Sequence, residues 1–186
     1  MKKFTLGLAL TLVSSVSIAA QECSIDIAKT APNIRYVFND NGTVKDKVTG
    51  LTWMRCPLGQ TWNSAQSTCT GEADGMFWQS ALSAAQDINT SATNPLHQFA
   101  GVAKWRLPNI KEVYSLSEFA CYTPALNSKA FSGAFLQPSG DLRTFVWSNT
   151  HDAATMNVYA MDTRNSEIYS YAPSGHKFGV LLVADQ

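Results

Sequence analysis

The chain has 186 residues with 14 basic and 14 acidic side chains, so its formal net charge is zero. Charged residues make up only 15% of the sequence, and no basic footprint of the kind that binds nucleic acid is present. Five tryptophans and an aromatic content of 11% predict a core built from large flat side chains. The length suits one domain with one core.

Residues 1–20 have the pattern of a secretory signal peptide. Lys2 and Lys3 precede a short apolar run that ends in the small residues Ala19 and Ala20. A retained N-terminal anchor is the alternative, but the run is too short for a spanning helix and no later segment reaches that length. Cleavage removes two of the 14 basic residues, which leaves a net charge of about −2. We therefore expect a secreted, periplasmic or cell-surface protein without a membrane span.

The four cysteines all lie in the exported part of the chain. An even number of cysteines in an oxidising compartment predicts two disulfides, for which three connectivities are possible. Cys56 and Cys69 flank a turn-rich segment, so a local bridge between them is favoured, and Cys23 would then join Cys121. The sequence alone does not choose among the three. Zinc binding is not predicted, because the chain has no CxxC pair and only three scattered histidines.

The first predicted elements form a β-meander. Extended segments over 35–38, 43–46 and 51–54 are separated by turns at Asn41-Gly42 and Thr49-Gly50. An Asn-Gly step is a strong hairpin signal because both residues tolerate positive φ.

Two helices are predicted next. Apolar residues recur at three- and four-residue intervals over 78–88, which is the pattern of an amphipathic helix. The segment 105–107 alternates like a strand with one covered face, and Pro108 should end it. Asn109 and Glu112 then have the spacing of a capping box at the start of a second helix.

The C-terminal third predicts strands. An extended segment over 144–148 leads into a loop at 149–152. The segments 156–161, 167–171 and 177–183 suggest three antiparallel strands joined by turns at 163–165 and 173–175. The apolar run 178–183 predicts a central strand that is covered on both faces.

These elements predict one α+β domain with antiparallel sheets, two helices and two disulfides. It occupies residues 35–186, and an N-terminal extension over 21–34 is tied to it by a disulfide.

Four ordered segments carry a recognisable pattern: 39–53, 55–71, 105–112 with the run WRLPNIKE, and 147–149 with WSN. Together they resemble the DUF1566 family, which includes the C-terminal domain of the Legionella collagen-like adhesin. The resemblance covers about 35–183. It implies an exported or surface-exposed bacterial domain with a fold of C-type-lectin or sulfatase-modifying-factor type. For the collagen-like adhesin it implies binding of sulfated glycans and attachment.

The late hairpins carry the best candidates for ligand binding. Tyr169 and Tyr171 share a strand face, and cationic side chains flank them in adjoining turns. Aromatic faces beside cationic donors suit a sugar or a protein partner. Ordinary cross-strand aromatic pairing is the alternative. With the tryptophan that lies between two cysteines, the candidate residues are Trp62, Tyr159, Arg164, Tyr169, Tyr171, His176 and Lys177.

No metal ligand, cofactor site or catalytic residue is predicted. The hairpin from Asp40 to Asp46 is rich in oxygen atoms, but a calcium loop that starts at Asp40 would need a glutamate where Leu51 stands. Glu112 fits a helix cap better than proton transfer. No Gly-x-Ser-x-Gly motif is present, and the cysteines are expected in disulfides rather than as nucleophiles.

We therefore expect a non-catalytic, adhesin-like recognition module that binds glycans or a cell-surface protein, as a monomer or an oligomer. The alternative is a structural or assembly subunit that docks on a pilus or envelope protein complex. A third and less favoured class is an oxidase like the sulfatase-modifying factors, which would need a free thiol.

Overall fold

The computed structural model describes residues 20–185. The predicted signal peptide lies almost entirely outside this range and stays a prediction. No helix within 20–185 is long and apolar enough to cross a bilayer.

In chain order the strands and α-helices of the described part are β1 Glu22–Cys23, β2 Tyr36–Phe38, β3 Thr43–Asp46, β4 Thr52–Met54, β5 Thr61–Asn63, β6 Thr68–Thr70, α1 Trp78–Thr90, α2 Ile110–Ser115, β7 Cys121–Tyr122, β8 Phe145–His151, β9 Val158–Asp162, β10 Ile168–Tyr171 and β11 Val183–Ala184.

The strands form four small sheets with antiparallel ladders. One sheet has the order β11-β4-β3-β2, a second has the order β10-β9-β8, and the pairs β1-β7 and β5-β6 stand apart. The α+β class, the meander and the late hairpins are thereby confirmed, whereas the C-type-lectin-like outline stays a prediction. β8 continues to His151 through an irregularity after Trp147, where the sequence predicted a loop.

Both predicted disulfides are present, in the pairing that the sequence favoured. Cys56 joins Cys69, 13 residues away, and Cys23 joins Cys121, 98 residues away. The second bridge lies between β1 and β7, so it fastens the N-terminal extension to the body of the domain.

Buried hydrogen bonds also hold the extension in place. The carboxylate of Glu118, which is 3% exposed, accepts from the backbone N–H groups of Thr30 and Ala31. The side-chain amide of Gln21 donates to the carbonyl oxygens of Pro124 and Leu126 at 2.7 Å each. The extension is therefore joined to the body by polar contacts as well as by a disulfide.

The core consists of two apolar clusters. The first joins the meander sheet to α2 and includes Trp53 and Phe131. The second lies against α1 and includes Trp105, Trp147 and Phe178. Because Trp53, Trp105 and Trp147 are each at most 1% exposed, none of these three indoles is available for stacking on a ligand.

The predicted capping box at the start of α2 is confirmed. The side chain of Asn109 accepts from the backbone N–H of Glu112, and the carboxylate of Glu112 accepts from the backbone N–H of Asn109. Arg106 donates to the carboxylates of Glu112 and Asp185 at 2.7–3.0 Å. These contacts tie the start of α2 to the end of the described chain.

Two of the predicted strands are wrong, because the segments do not form continuous strands. The segment 105–107 makes a single bridge to Val183, and the run 178–183 enters a ladder only at its last residue. Elsewhere the backbone of that run bonds to Met76 and Phe145, which belong to different parts of the fold. The run is buried as predicted, but its hydrogen bonds go to several partners in turn, so no long ladder forms.

Candidate ligand-binding surface

Three of the predicted residues form an exposed aromatic cluster at the edge of the late sheet. We call Tyr169, Tyr171 and His176 the aromatic row. Ring centroids are 6.5 Å apart between Tyr169 and Tyr171 and 5.4 Å apart between Tyr171 and His176. Tyr169 is 51% exposed, His176 is exposed and Tyr171 is half-buried. The two tyrosines share a face because side chains alternate along a strand.

Two phenylalanines support the row. Tyr171 meets the rings of Phe145 and Phe178 edge-on, with centroids 5.9 Å and 4.9 Å away. His176 stacks nearly parallel to Phe178 at 5.4 Å. Burial raises the pKa of Tyr171, so its hydroxyl stays a neutral donor and acceptor at physiological pH. The orientation of Tyr171 and His176 is therefore set by packing on these two rings.

The two predicted cations have different surroundings. Arg164 lies in the turn between β9 and β10, where its guanidinium donates to the carboxylate of Asp162 at 3.0–3.3 Å. This bond raises the pKa of Arg164. The ammonium of Lys177, the residue after His176, lies 5.3 Å from the ring centroid of Phe77. Lys177 is thus the cation next to the row in sequence, whereas Arg164 is already paired.

Tyr159 and Trp62 lie away from the row. In the register of β9 and β10, Tyr159 is opposite Ser170, so it belongs to the other face of the sheet from Tyr169 and Tyr171. Trp62 belongs to β5, in a separate sheet. The structure therefore separates the seven predicted residues into the row with Lys177, the paired Arg164, and two residues elsewhere.

Trp62 borders a small apolar cavity, which we call the Trp62 cavity. Its volume is about 60 Å³, and it lies between the hairpin of β5 and β6 and the loop that follows α1. Apolar side chains make up most of its wall. The largest of these side chains belong to Met54, Leu58, Trp62, Leu96 and Phe99.

Arg55 holds the indole of Trp62 in place. The guanidinium carbon of Arg55 lies 3.6 Å from the ring centroid of Trp62, and the guanidinium donates to the carbonyl oxygens of Lys129 and Ala130. The indole N–H of Trp62 donates to the carbonyl oxygen of Asp40 at 3.0 Å. Burial lowers the pKa of Arg55 to about 10, so it remains a cation at neutral pH. Arg55 thus covers one face of the indole, and the hydrogen bond to Asp40 holds its N–H edge.

Gln60 also lines the cavity, and its side chain is oriented by two carbonyl groups. Nε2 donates to the carbonyl oxygens of Gly71 and Gly133 at 3.1 Å and 3.2 Å, which identifies the nitrogen end of the carboxamide. Oε1 is buried and receives no hydrogen bond from residues 20–185. A buried acceptor without a donor costs about 1–3 kcal/mol.

Sequence reasoning singled out Trp62 but missed the other cavity residues. Leu96 and Phe99 lie in the segment after α1, which has the composition of a loop. Two large apolar side chains in an otherwise polar loop could have indicated that this loop packs against the body of the domain, because large apolar side chains are usually buried. Nothing local shows that they face Gln60, which lies more than 30 residues earlier in the chain.

Residues 42–184 match the family model of the Lcl C-terminal domain. The chain belongs to this family. The family is named after the C-terminal domain of the Legionella collagen-like protein and is associated with surface adhesins, so the family that the four segments resembled is confirmed. No curated protein matches the chain. The matched range includes both the aromatic row and the Trp62 cavity.

Proposed function

We propose that the domain is a non-catalytic recognition module that binds glycans through the aromatic row. The observation that carries the proposal is the half-exposed ring of Tyr169 beside Tyr171 and His176. An aromatic ring with a polar tip offers an apolar face to the C–H groups of a sugar and a hydrogen-bonding group to its hydroxyls. Because the rings of Tyr171 and His176 are held by packing, they would lose little conformational entropy on binding.

The surroundings of the row support a sugar ligand, including an anionic one. His176 and the two tyrosine hydroxyls offer hydrogen-bonding groups to sugar hydroxyls. Lys177 adds a cation that would attract a sulfate or carboxylate substituent. Membership of an adhesin-associated family and two disulfides support a site of action outside the cytoplasm, on or near the cell surface.

The test is glycan affinity after single substitutions in the row. We expect Tyr169→Ala and Tyr171→Ala each to weaken binding five- to tenfold, which corresponds to about 1 to 1.4 kcal/mol. Tyr122→Ala is the matched control, because Tyr122 is also 51% exposed but lies on β7. Calorimetric titration of the three variants with a glycan that binds the wild type would decide. Equal affinity in all three would refute the row as the binding surface.

A second candidate function is that of an assembly subunit, and exposed apolar residues around β1 and β7 favour it. Ile25 is 97% exposed, and Ile27, Phe119 and Tyr122 are each about half exposed. Such side chains suit docking on a pilus or envelope protein. This function predicts copurification with a neighbouring envelope protein that is lost in Ile25→Ser with Phe119→Ser, and no affinity for free carbohydrate. Retention of the neighbour by that double variant would refute docking through this surface.

A further inference from the structure

We propose that Asn41, at the tip of the hairpin of β2 and β3, is a site of spontaneous covalent modification that Thr43 promotes. Its side-chain amide is lost, and the residue becomes isoaspartate or aspartate. The step needs only water as a co-reactant and does not depend on glycan binding. It makes the hairpin beside Trp62 the part of the domain that changes with age.

The sequence supplies the reacting groups. Asn41-Gly42 is the only Asn-Gly step in the chain. The backbone nitrogen that follows an asparagine can attack the side-chain carbonyl carbon Cγ, because the ring that closes has five members. Glycine has no side chain to hinder this attack, and its backbone adopts conformations that other residues avoid. Asn41 is exposed, so water can reach its carboxamide.

The structure places two donors on the oxygen that gains charge in this attack. Oδ1 of Asn41 accepts from the backbone N–H of Thr43 at 3.2 Å and from Oγ1 of Thr43 at 2.8 Å. Thr43 is 2% exposed, and its Oγ1 accepts from Nδ2 of Asn39 at 2.9 Å, so the hydroxyl is held in place. Donors that are fixed around a developing oxyanion stabilise a tetrahedral intermediate. We therefore expect Thr43 to accelerate ring closure.

The reaction has two steps. In the first, a bond forms between the Gly42 nitrogen and Cγ of Asn41, the bond from Cγ to Nδ2 breaks, and ammonia leaves with the proton of the Gly42 nitrogen. In the second, water opens the resulting succinimide at one of its two carbonyl carbons. Opening at the main-chain carbonyl gives isoaspartate, whose backbone runs through Cβ and Cγ, and opening at Cγ gives aspartate. One amide and one water thus become one carboxylate and one ammonium ion.

The surroundings of Gly42 make the fold sensitive to this change. A Cβ atom on Gly42 would lie 2.9 Å from Cβ of Trp62 and 3.0 Å from Cζ of Phe99, so that side is already filled. The carbonyl oxygen of Gly42 accepts from the N–H of Arg55 at 2.9 Å, and that of Asp40 accepts from the Trp62 indole. Isoaspartate adds one carbon atom to the main chain between these two carbonyl groups. The modified hairpin should therefore hold Trp62 less firmly.

Asn165 offers a matched control within the same chain. Its Oδ1 accepts from the backbone N–H of Glu167, two residues later, so its turn has the same hydrogen bond as that of Asn41. Ser166 has a positive φ of 64°, and Gly42 has one of 85°. Asn165 is also exposed, but the serine side chain hinders the attacking nitrogen, and Nδ2 of Asn165 donates to the Glu167 carboxylate.

The experiment follows both asparagines while the oxidised protein ages at neutral pH and body temperature. Mass spectrometry of tryptic peptides quantifies each asparagine and its acidic products, with fragment ions that distinguish Asn41 from Asn39. Isoaspartyl methyltransferase identifies isoaspartate. We expect Asn41 to convert at least tenfold faster than Asn165, with isoaspartate among its products. A smaller ratio, or no conversion of Asn41, would overturn the proposal.

Two substitutions test the part played by Thr43. Thr43→Val removes the hydroxyl donor at the same shape, and Thr43→Ser keeps it. Thr43→Val should slow the conversion of Asn41 at least threefold in the native protein but not in urea, whereas Thr43→Ser should react like the wild type. Equal native rates for the two variants would refute promotion by Thr43. If circular dichroism shows that Thr43→Val is unfolded, the wild type decides, because its ratio of Asn41 to Asn165 conversion must then be higher in the native state than in urea.

Urea unfolding tests the consequence for the hairpin. The aged wild type should unfold at a lower urea concentration than the fresh protein. Asn41→Gln is the control, because its side chain would have to close a six-membered ring, which forms more slowly, and its unfolding midpoint should not change with age. An aged wild type that contains isoaspartate at 41 and keeps its midpoint would refute the loosening of the hairpin.

Discussion

The Trp62 cavity and the aromatic row hold their aromatic rings in different ways. Trp62 is fixed by a buried guanidinium and by a hydrogen bond to a backbone carbonyl, next to the Cys56–Cys69 disulfide. Tyr169 lies half-exposed on β10, an edge strand that pairs only with β9. Substitutions beside the cavity should therefore lower the stability of the fold, whereas substitution of Tyr169 should leave it almost unchanged.

The largest effect should come from removal of the disulfide beside the cavity. We expect Cys56→Ala with Cys69→Ala to lower the free energy of unfolding by about 3 kcal/mol, the value for a loop of this length. Urea unfolding of the wild type and of the variant measures the effect. A loss of less than about 1 kcal/mol would contradict this expectation.

Substitution of Arg55 should cause the next largest loss in the free energy of unfolding. Arg55→Met leaves the carbonyl oxygens of Lys129 and Ala130 without this donor and removes the group stacked on Trp62. We expect the free energy of unfolding to fall by about 2 kcal/mol in urea denaturation. Lys47→Met, at an exposed lysine, should change it by less than about 0.5 kcal/mol. Equal unfolding midpoints for the two variants would contradict this account of the cavity wall.

Acid should weaken the meander that carries one wall of the cavity. Burial disfavours the charge of Asp46, but bonds from Arg35, Thr49 and the Val48 N–H outweigh it and lower its pKa below 3.8. A carboxylate with a lowered pKa stabilises the fold above its unfolded pKa, and this contribution is lost as the pH falls through the folded value. We expect the free energy of unfolding to fall as the pH is lowered below about 4, measured by urea unfolding at several pH values.

The double variant Arg35→Met with Asp46→Leu is the control for the acid effect. It removes both partners of the buried ion pair, so no unpaired charge is left behind. Its free energy of unfolding should depend less steeply on pH below pH 4. An acid dependence as steep as that of the wild type would assign the effect to other carboxylates.

The smallest effect on stability should be that of Tyr169→Ala. The side chain is 51% exposed, so the free energy of unfolding should change by less than about 0.5 kcal/mol. Tyr171→Ala should cost more, about 1.5 kcal/mol, because Tyr171 packs on Phe145 and Phe178. Thermal unfolding of both variants measures the difference. A larger loss for Tyr169→Ala would mean that the row is part of the core.

The features that the sequence predicted correctly depend on neighbouring residues. The turn at Gly42 and the capping box of Asn109 and Glu112 are each specified within a few residues. The alternation that places Tyr169 and Tyr171 on one face is local as well. The near neighbours Cys56 and Cys69 favoured the correct disulfide for the same reason.

The features that the sequence did not predict depend on which residues, far apart in the sequence, come together in the fold. The run 178–183 was expected in a continuous strand, but its hydrogen bonds are divided among several elements. Tyr159 was grouped with the row, although the register of β9 against β10 places it on the opposite face. The cavity is lined by residues as far apart in the sequence as Gln60 and Leu96, and no local pattern shows that they border the same space.

The measurement that tests the central claim most directly is a glycan array with the oxidised wild-type protein and the Tyr169→Ala and Tyr122→Ala variants, at physiological salt. We predict that the wild type binds a specific set of glycans. Tyr169→Ala should weaken the signals across that set, and Tyr122→Ala should leave them unchanged. A wild-type array without specific signals would contradict glycan recognition and favour the assembly role.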